Sequence, residues 1–195
     1  MIPVTPLVLH TGVAHQLLQA GLLSWASLEV LLRLRNLGGR TAPDVTFAAV
    51  VASVVLAINL GFRAAHLPAT TFAGGWAAAV AGLTVLVLGV ALRTWAILTL
   101  GRFFKFVVVI QDGHRVISTG PYRLIRHPSY AGGLLALAGV GIALDSWLSI
   151  LILTCVPLVA ILVRIRVEET KLAAALGHDY ETYSRRTRRL IPGLW

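Results

Sequence analysis

Arg164 and Glu168 are the residues whose types and spacing most directly allow chemistry in this sequence. Because they are four residues apart, they lie on one face of any helix that contains both. The planar guanidinium of an arginine matches a carboxylate, and the carboxylate of Glu168 suits a cationic group. An ion pair at a membrane surface, with the arginine reaching towards water, explains the same spacing. Spacing leaves these two interpretations equal, and Glu169 has a simple solvated interpretation on a neighbouring face.

His127 is the second candidate, because it lies where a basic loop leads into an apolar stretch, in the segment Arg126-His127-Pro128-Ser129-Tyr130. Pro128 suits the first turn of a helix, and the backbone N–H groups of such a turn attract an anion. From this segment alone, capping and ligand binding are equally expected. No second His or Cys stands at a metal-ligand spacing, so the sequence predicts no metal site.

Membrane-spanning helices must position these residues. Of the 195 residues, 57% are hydrophobic and 13% are charged, whereas about a quarter are charged in a soluble domain. The composition therefore excludes a soluble globular protein, a disordered tail and a fibrous repeat. A crossing takes about 20 mostly apolar residues, which predicts spans near residues 6–32, 45–61, 74–100, 130–144 and 147–163. Only Asp145 and Ser146 separate the last two spans, which predicts a tight antiparallel hairpin.

The basic residues predict how the chain is oriented. Of the 17 Lys and Arg residues, 15 fall in loops on one side of the predicted spans, Arg63 falls on the other, and Arg93 near a span end is unassigned. The positive-inside rule then puts the N-terminus outside and the C-terminus in the cytoplasm. The net charge of +9 thus needs no nucleic-acid partner. The composition is typical of a bacterial protein from a GC-rich genome, because Ala, Leu, Val and Arg are frequent and Lys is rare. It therefore predicts that the protein lies in the bacterial inner membrane.

Small and polar residues inside the spans predict how the helices pack. Gly74, Ala78 and Gly82 are spaced by four, the pattern of close packing between membrane helices. His15 and Gln19 share a face of the first span, where both hydrogen bonding between helices and the lining of a pocket explain them.

The two cytoplasmic blocks, residues 101–129 and 164–195, together carry a recognisable pattern. Its elements are Gly113-His114-Arg-Val-Ile-Ser-Thr119-Gly120-Pro121-Tyr122, then Arg126-His127-Pro128-Ser129-Tyr130, then Arg164, Glu168-Glu169, Leu172, Gly177, Tyr180, Tyr183 and Pro192. The combination resembles the isoprenylcysteine carboxyl methyltransferase family of integral membrane methyltransferases. The three N-terminal spans resemble that family only in hydropathy and number, and they are where we expect substrate choice to reside.

The resemblance implies a fold and an activity. The fold is all-α and polytopic, with about five transmembrane helices, a C-terminal helical hairpin and a cytoplasmic loop and helix that bind the cofactor. Residues 1–100 would hold the three N-terminal transmembrane helices, and residues 101–195 the methyltransferase core. The implied activity is transfer of a methyl group from S-adenosylmethionine to the C-terminal carboxylate of a prenylated cysteine, which leaves S-adenosylhomocysteine.

The resemblance also implies roles for single residues. Arg164 matches the arginine beside the reacting carboxylate and is the expected catalytic residue, and Glu168 matches the cofactor-binding glutamate. The other expected cofactor-binding residues are His114, Arg115, Val116, Ile117, Tyr122, His127, Pro128, Ser129 and Tyr130. No residue is carried over from residues 105–111, where the spacing is shorter than in the family.

Methyl transfer to a carboxylate is compatible with these residue types. A carboxylate is already charged, so the reaction needs no general base, only in-line positioning and exclusion of water. We expect a lipophilic or prenylated acceptor to enter from the bilayer and the cofactor from the cytoplasm. The alternatives are methylation of a small thiol or a lipid amine, a membrane reductase that binds a nicotinamide cofactor at a similar hairpin, and a non-catalytic membrane scaffold.

Overall fold

The computed structural model describes residue 9 and residues 12–35, 45–101 and 116–193, and it describes no side chains for residues 32–35. We number the helices α1 to α6 in chain order. They are α1 (Gly12–Arg35), α2 (Val45–Ala64), α3 (Gly75–Leu100), α4 (Pro128–Ala143), α5 (Trp147–Leu176) and α6 (His178–Arg186), with short 3-10 turns at Pro68–Thr70 and Gly120–Arg123. Within the described residues there are helices and two isolated bridges but no strands, which confirms the all-α prediction.

Three of these helices, α2, α3 and α5, are long and apolar enough to cross a membrane. Helix α4 has 16 residues and is a shorter apolar helix. Helix α1 has 24 residues and is not among the three helices that are long and apolar enough to cross a membrane. It carries the polar residues His15, Gln16, Gln19 and Glu29. The polytopic membrane fold is therefore confirmed, while crossings by α1 and α4 stay predictions.

Helices α3 and α4 pack at very short distance because glycines face each other along their contact. A Cβ added at Gly82 would lie 2.2 Å from the backbone N of Ala143, and one at Gly89 would lie 2.3 Å from that of Ala136. Gly139 on α4 faces Leu86 in the same way, at 2.3 Å from its backbone N. Close packing through small residues, predicted from the spacing in α3, is confirmed.

Asp145 closes the hairpin between α4 and α5 and ties it to the start of α3. Its backbone has a φ of 55°, a left-handed conformation that Asp tolerates better than most residues. Its carboxylate accepts hydrogen bonds from the backbone N–H groups of Gly74 (2.9 Å) and Gly75 (3.2 Å). Ser146 caps α5 by accepting from the backbone N–H of Ser149 at 3.2 Å. The tight hairpin is confirmed, and it is anchored on the helix that α4 packs against.

The C-terminal segment folds back onto the residues that precede α4. Helix α5 continues to Leu176, and Gly177, with a φ of 50°, turns the chain into α6. After α6, the backbone N–H of Arg126 donates to the carbonyl oxygen of Arg188 at 2.7 Å, and that of His127 donates to Arg189 at 3.0 Å. The residues just before α4 and the C-terminal segment, which are far apart in the sequence, therefore meet at the start of α4.

Candidate functional site

His127 sits at the start of α4 but does not cap it through its side chain. The helix begins at Pro128, and the imidazole makes no hydrogen bond to the backbone of the first turn. The ring instead stacks on Tyr130, with centroids 5.9 Å apart, and 7% of the residue is exposed. Of the two interpretations left open by the sequence, capping is therefore excluded for the His127 side chain.

Tyr130 links the two candidate residues of α5. Its hydroxyl donates to Oε1 of Glu168 at 2.6 Å and accepts from Nε of Arg164, also at 2.6 Å. Arg164 Nε lies 3.1 Å from the same Glu168 oxygen. Nδ1 of His127 lies 3.6 Å from the other oxygen, Oε2. We call these four residues, His127, Tyr130, Arg164 and Glu168, the Arg164 cluster.

The two charged residues of this cluster differ in access to solvent. The side chain of Arg164 is 1% exposed, whereas that of Glu168 is 17% exposed. Beyond the cluster, Arg164 Nη1 donates to the hydroxyl of Thr46 at 2.9 Å, and its guanidinium lies 5.3 Å from the ring centroid of Phe47. The same-face prediction for Arg164 and Glu168 is confirmed, and the structure places them in a buried network.

The solvated interpretation of Glu169 is wrong, because its side chain is only 14% exposed and cationic side chains surround it. Its carboxylate accepts from Nε of Arg126 at 2.8 Å and from Nε of Arg189 at 2.9 Å. His127 Nε2 lies 3.3 Å from it. Arg126 also donates to the carbonyl oxygens of Ser184 (2.8 Å) and Thr187 (2.5 Å). We call Arg126, His127, Glu169 and Arg189 the Glu169 cluster; it fastens the C-terminal segment to the start of α4.

Three tyrosines beside these clusters are held in the neutral form. Burial raises the pKa of Tyr183 to about 12, against the lowering effect of Arg126 and a hydrogen bond with Thr187. Burial raises the pKa of Tyr122 and of Tyr180 well above the usual range. The hydroxyl of Tyr183 donates to the carbonyl oxygen of Tyr122 at 2.9 Å. Raised pKa values keep these phenols protonated at neutral pH, and that of Tyr183 is a hydrogen-bond donor.

A third network, missed at the level of the sequence, holds the start of α4 from the other side. Arg93 of α3 donates from Nη1 to the carbonyl oxygen (3.1 Å) and the hydroxyl (3.0 Å) of Ser129. The same guanidinium pairs with Glu29 of α1, to which Trp25 also donates at 3.1 Å. The signal that could have found it is the presence of charged residues inside predicted spans, because such residues are rare unless paired.

The structure brings together four of the predicted site residues, those of the Arg164 cluster. Pro128 is buried in the first turn of α4, and the Ser129 side chain is turned towards Arg93. Tyr122 is buried nearby, close enough for Glu168 to influence its pKa.

The four remaining candidates precede the 3-10 turn in the sequence. Val116 and Ile117 are half-buried ahead of the 3-10 turn. His114 and Arg115 lie outside the described residues. In the described ranges, no group of three or more His, Cys, Asp or Glu side chains is arranged to hold a metal ion.

An apolar groove of about 890 Å³ runs beside α4, between α3 and α5. Its walls come from Leu92 and Trp95 of α3, Leu134 and Ala138 of α4 and Leu158 of α5, among others. None of the residues of the Arg164 cluster lines it. The groove is therefore an apolar surface separate from the charged site.

Known proteins match the part of the chain that carries the Arg164 cluster. Residues 81–174 match the profile of the isoprenylcysteine carboxyl methyltransferase family, which confirms the resemblance found in the motifs. A probable protein-S-isoprenylcysteine O-methyltransferase of Oryza sativa is 34% identical over 119 residues, which are 60% of this chain and 62% of the relative. Protein-S-isoprenylcysteine O-methyltransferase B of Arabidopsis thaliana is 34% identical over 113 residues, 57% of each chain.

A solved structure agrees with the fold. The structure of the eukaryotic intramembrane Ras methyltransferase ICMT superposes with a TM-score of 0.59 at 28% identity, covering 79% of this chain and 55% of that one. The matched part of this chain thus spans 55 to 62% of the length of these three proteins. The matched residues 81–174 include α4 and the part of α5 with Arg164 and Glu168, while Thr46 and Phe47 lie outside them.

Proposed function

From the similarity of residues 81–174 to the isoprenylcysteine carboxyl methyltransferase family, we propose that this chain transfers a methyl group from S-adenosylmethionine to the carboxylate of a membrane-borne, isoprenylcysteine-like acceptor. The observation that carries the proposal is the Arg164 cluster, which joins a buried guanidinium and a partly exposed carboxylate through one tyrosine hydroxyl. One charged group suits an anionic acceptor, and the other suits a cationic donor.

The residues at the start of α4 and on α5 fit the methyl donor by their chemistry. When bound, S-adenosylmethionine supplies a methyl group on a positively charged sulfur. The exposed fraction of Glu168, 17%, leaves its carboxylate accessible to a cationic group from the polar side. The stacked rings of His127 and Tyr130 offer aromatic surface to the adenine or the sulfonium. His114, Arg115, Val116, Ile117, Tyr122, Pro128 and Ser129 remain the further proposed cofactor-binding residues.

Arg164 is the proposed catalytic residue because its guanidinium can orient the reacting carboxylate. An arginine donates two parallel hydrogen bonds to a carboxylate, which fixes direction as well as distance. The carboxylate acceptor is already ionised, so no residue has to remove a proton before the displacement. Burial of Arg164 at 1% exposure excludes water from the place where charge is neutralised.

The membrane setting supports a two-sided site. Helix α5 is apolar up to Val163, and the Arg164 cluster follows directly. A lipid-tailed acceptor would reach the buried Arg164 from the bilayer, and a polar cofactor would reach Glu168 from the cytoplasm. This arrangement goes with the proposed bacterial inner membrane, an outside N-terminus and a cytoplasmic C-terminus.

The division at residue 100 is proposed as one of function. Residues 1–100 would supply the three N-terminal transmembrane helices, and residues 101–195 the methyltransferase core. The packing of α3 on α4 through Gly82 and Gly89 means that we do not expect the core to fold without α3.

Binding of S-adenosylhomocysteine to the purified full chain in detergent tests the cofactor part. We expect Glu168→Gln to abolish binding measured by calorimetry, while Glu181→Gln, on the exposed face of α6, keeps it. Arg164→Lys should bind S-adenosylhomocysteine and lose methyl transfer. Normal binding by Glu168→Gln would overturn the assignment of that residue, and loss of binding in both cluster variants would overturn the separation of roles.

The acceptor is tested by offering the wild-type chain three substrates with radiolabelled donor. We expect methylation of a farnesylcysteine analogue, and none of a small thiol or a phospholipid amine. Methylation of the thiol or amine alone would replace the proposed acceptor. Failure to bind S-adenosylhomocysteine would contradict the methyltransferase assignment, and binding of a nicotinamide cofactor instead would favour a reductase.

A further inference from the structure

Two residues at the start of α2 contact the guanidinium of Arg164. The hydroxyl of Thr46 accepts from Nη1 at 2.9 Å, and the ring of Phe47 lies 5.3 Å from the guanidinium carbon. Both residues lie far from Arg164 in sequence and outside residues 81–174, which match the methyltransferase family. The N-terminal part of the chain therefore contacts the proposed active site directly.

The guanidinium of Arg164 is held at more than one point. Its Nε contacts Tyr130 and Glu168, its Nη1 donates to Thr46, and its central carbon lies 5.3 Å from the centroid of the Phe47 ring. A guanidinium held only at Nε can still rotate, but a hydrogen bond at Nη1 and a neighbouring aromatic ring restrict that rotation. The contacts from α2 thus contribute to setting the orientation of the Arg164 guanidinium.

The register of α2 against α5 places Thr46 at the same height along the helix pair as Arg164. At the opposite end of the helix pair, the Ser149 hydroxyl donates to the carbonyl oxygen of Gly61 at 2.7 Å, and a Cβ at Gly61 would lie 2.8 Å from Leu153. Thr46 precedes Gly61 by as many residues as Arg164 follows Ser149. Because both helices rise about 1.5 Å per residue, contact at one end brings Thr46 beside Arg164 at the other.

We propose that Thr46 and Phe47 are positioning residues that aim Arg164 at the acceptor carboxylate, so that α2 helps to select the acceptor. This inference rests on the proposed function. It gives the N-terminal spans a specific part in the reaction, since α2 would orient Arg164, which lies within residues 81–174. In a purely structural role these residues would stabilise the buried guanidinium without affecting the acceptor more than the cofactor.

The inference is tested with the full chain in nanodiscs, comparing Thr46→Val with Thr46→Ser. We expect Thr46→Val to lower kcat/KM for a farnesylcysteine analogue on the order of 10²-fold, as misplacement of a catalytic group does. The affinity for S-adenosylhomocysteine should stay within about twofold, and Thr46→Ser should restore kcat/KM. Thr84→Val is the matched control, because the Thr84 hydroxyl donates only to Val80 of its own exposed helix face.

Phe47→Leu is the second variant, and it tests the inference even if Thr46→Val does not fold. We expect it also to raise KM for the acceptor while cofactor affinity is unchanged. Wild-type kcat/KM in both Thr46→Val and Phe47→Leu would overturn the inference alone. If these variants lost acceptor turnover and cofactor binding to the same extent, the inference would also be overturned, and a structural role would be favoured. A wild-type chain that methylates no acceptor would overturn the proposed function, and the inference with it.

Discussion

Arg93 donates to both the carbonyl oxygen and the hydroxyl of Ser129, at 3.1 and 3.0 Å, and so fixes the first turn of α4 to α3. The same guanidinium pairs with Glu29, so three helices meet at one charged junction. The junction lies immediately before Tyr130 in the chain, so we expect the geometry of the Arg164 cluster to depend on it.

Glu29→Gln should therefore destabilise the protein and loosen α1. The substitution leaves Arg93 without its anionic partner, and lost hydrogen bonds to charged groups cost about 1–3 kcal/mol each. We expect a lower Tm in detergent, measured by tryptophan fluorescence, with no change for Arg63→Gln at an exposed position. An unchanged Tm for Glu29→Gln would show that the ion pair does not stabilise the packing of α1.

Neighbouring glutamates on α5 should behave differently when each is changed to glutamine. Glu169 pairs with Arg126 and Arg189, so Glu169→Gln should release the C-terminal segment. Removing one partner from a buried charge cluster costs about 3–5 kcal/mol. We expect a lower Tm and faster cleavage by trypsin near Arg186 and Arg188.

Glu168→Gln is the matched comparison for that experiment. Because Glu168 is held by Tyr130 and Arg164 and not by the C-terminal segment, we expect its trypsin pattern to match the wild type. Equal protection of the segment in Glu169→Gln and wild type would contradict the role of the Glu169 cluster.

Local patterns in the sequence were enough to predict the helices and the pairing of Arg164 with Glu168. Apolar length predicts a span, small residues four apart predict a close crossing, and two residues between spans predict a hairpin, since each depends on neighbours in the chain. The shared face of Arg164 and Glu168 follows from helix geometry in the same way. These expectations were met at Gly82, at Asp145 and in the Arg164 cluster.

Contacts between distant segments could not be predicted in this way. Glu169 looked solvated because its arginine partners come from the loop before α4 and from the tail after α6, far from it in the chain. Tyr180 lies among polar and charged residues in the sequence, yet only 6% of it is exposed. Thr46 showed no signal at all, because its role depends on the register of α2 against α5.

The close crossing of α3 and α4 should not tolerate a methyl group at Gly82. A Cβ there would lie 2.2 Å from a backbone nitrogen of α4, and backbone cannot move away as a side chain tip can. We expect Gly82→Ala to cost on the order of 3 kcal/mol and to lower the Tm. Gly133→Ala is the control, because its nearest neighbour would be 3.7 Å away; an equal loss in both would contradict the packing argument.

Tyr180 and Tyr183 offer a paired test of buried hydroxyls, since only one of them has a partner. Within the described part of the chain the Tyr180 hydroxyl is buried without a hydrogen-bond partner, whereas that of Tyr183 donates to the carbonyl oxygen of Tyr122 at 2.9 Å. Removing an unpaired buried hydroxyl relieves a desolvation cost, while removing a paired one leaves an acceptor unsatisfied, at about 1–3 kcal/mol. We expect Tyr180→Phe to keep or raise the Tm and Tyr183→Phe to lower it, both measured by thermal unfolding in the same detergent. The reverse order would show that the Tyr180 hydroxyl is the one with a stabilising partner.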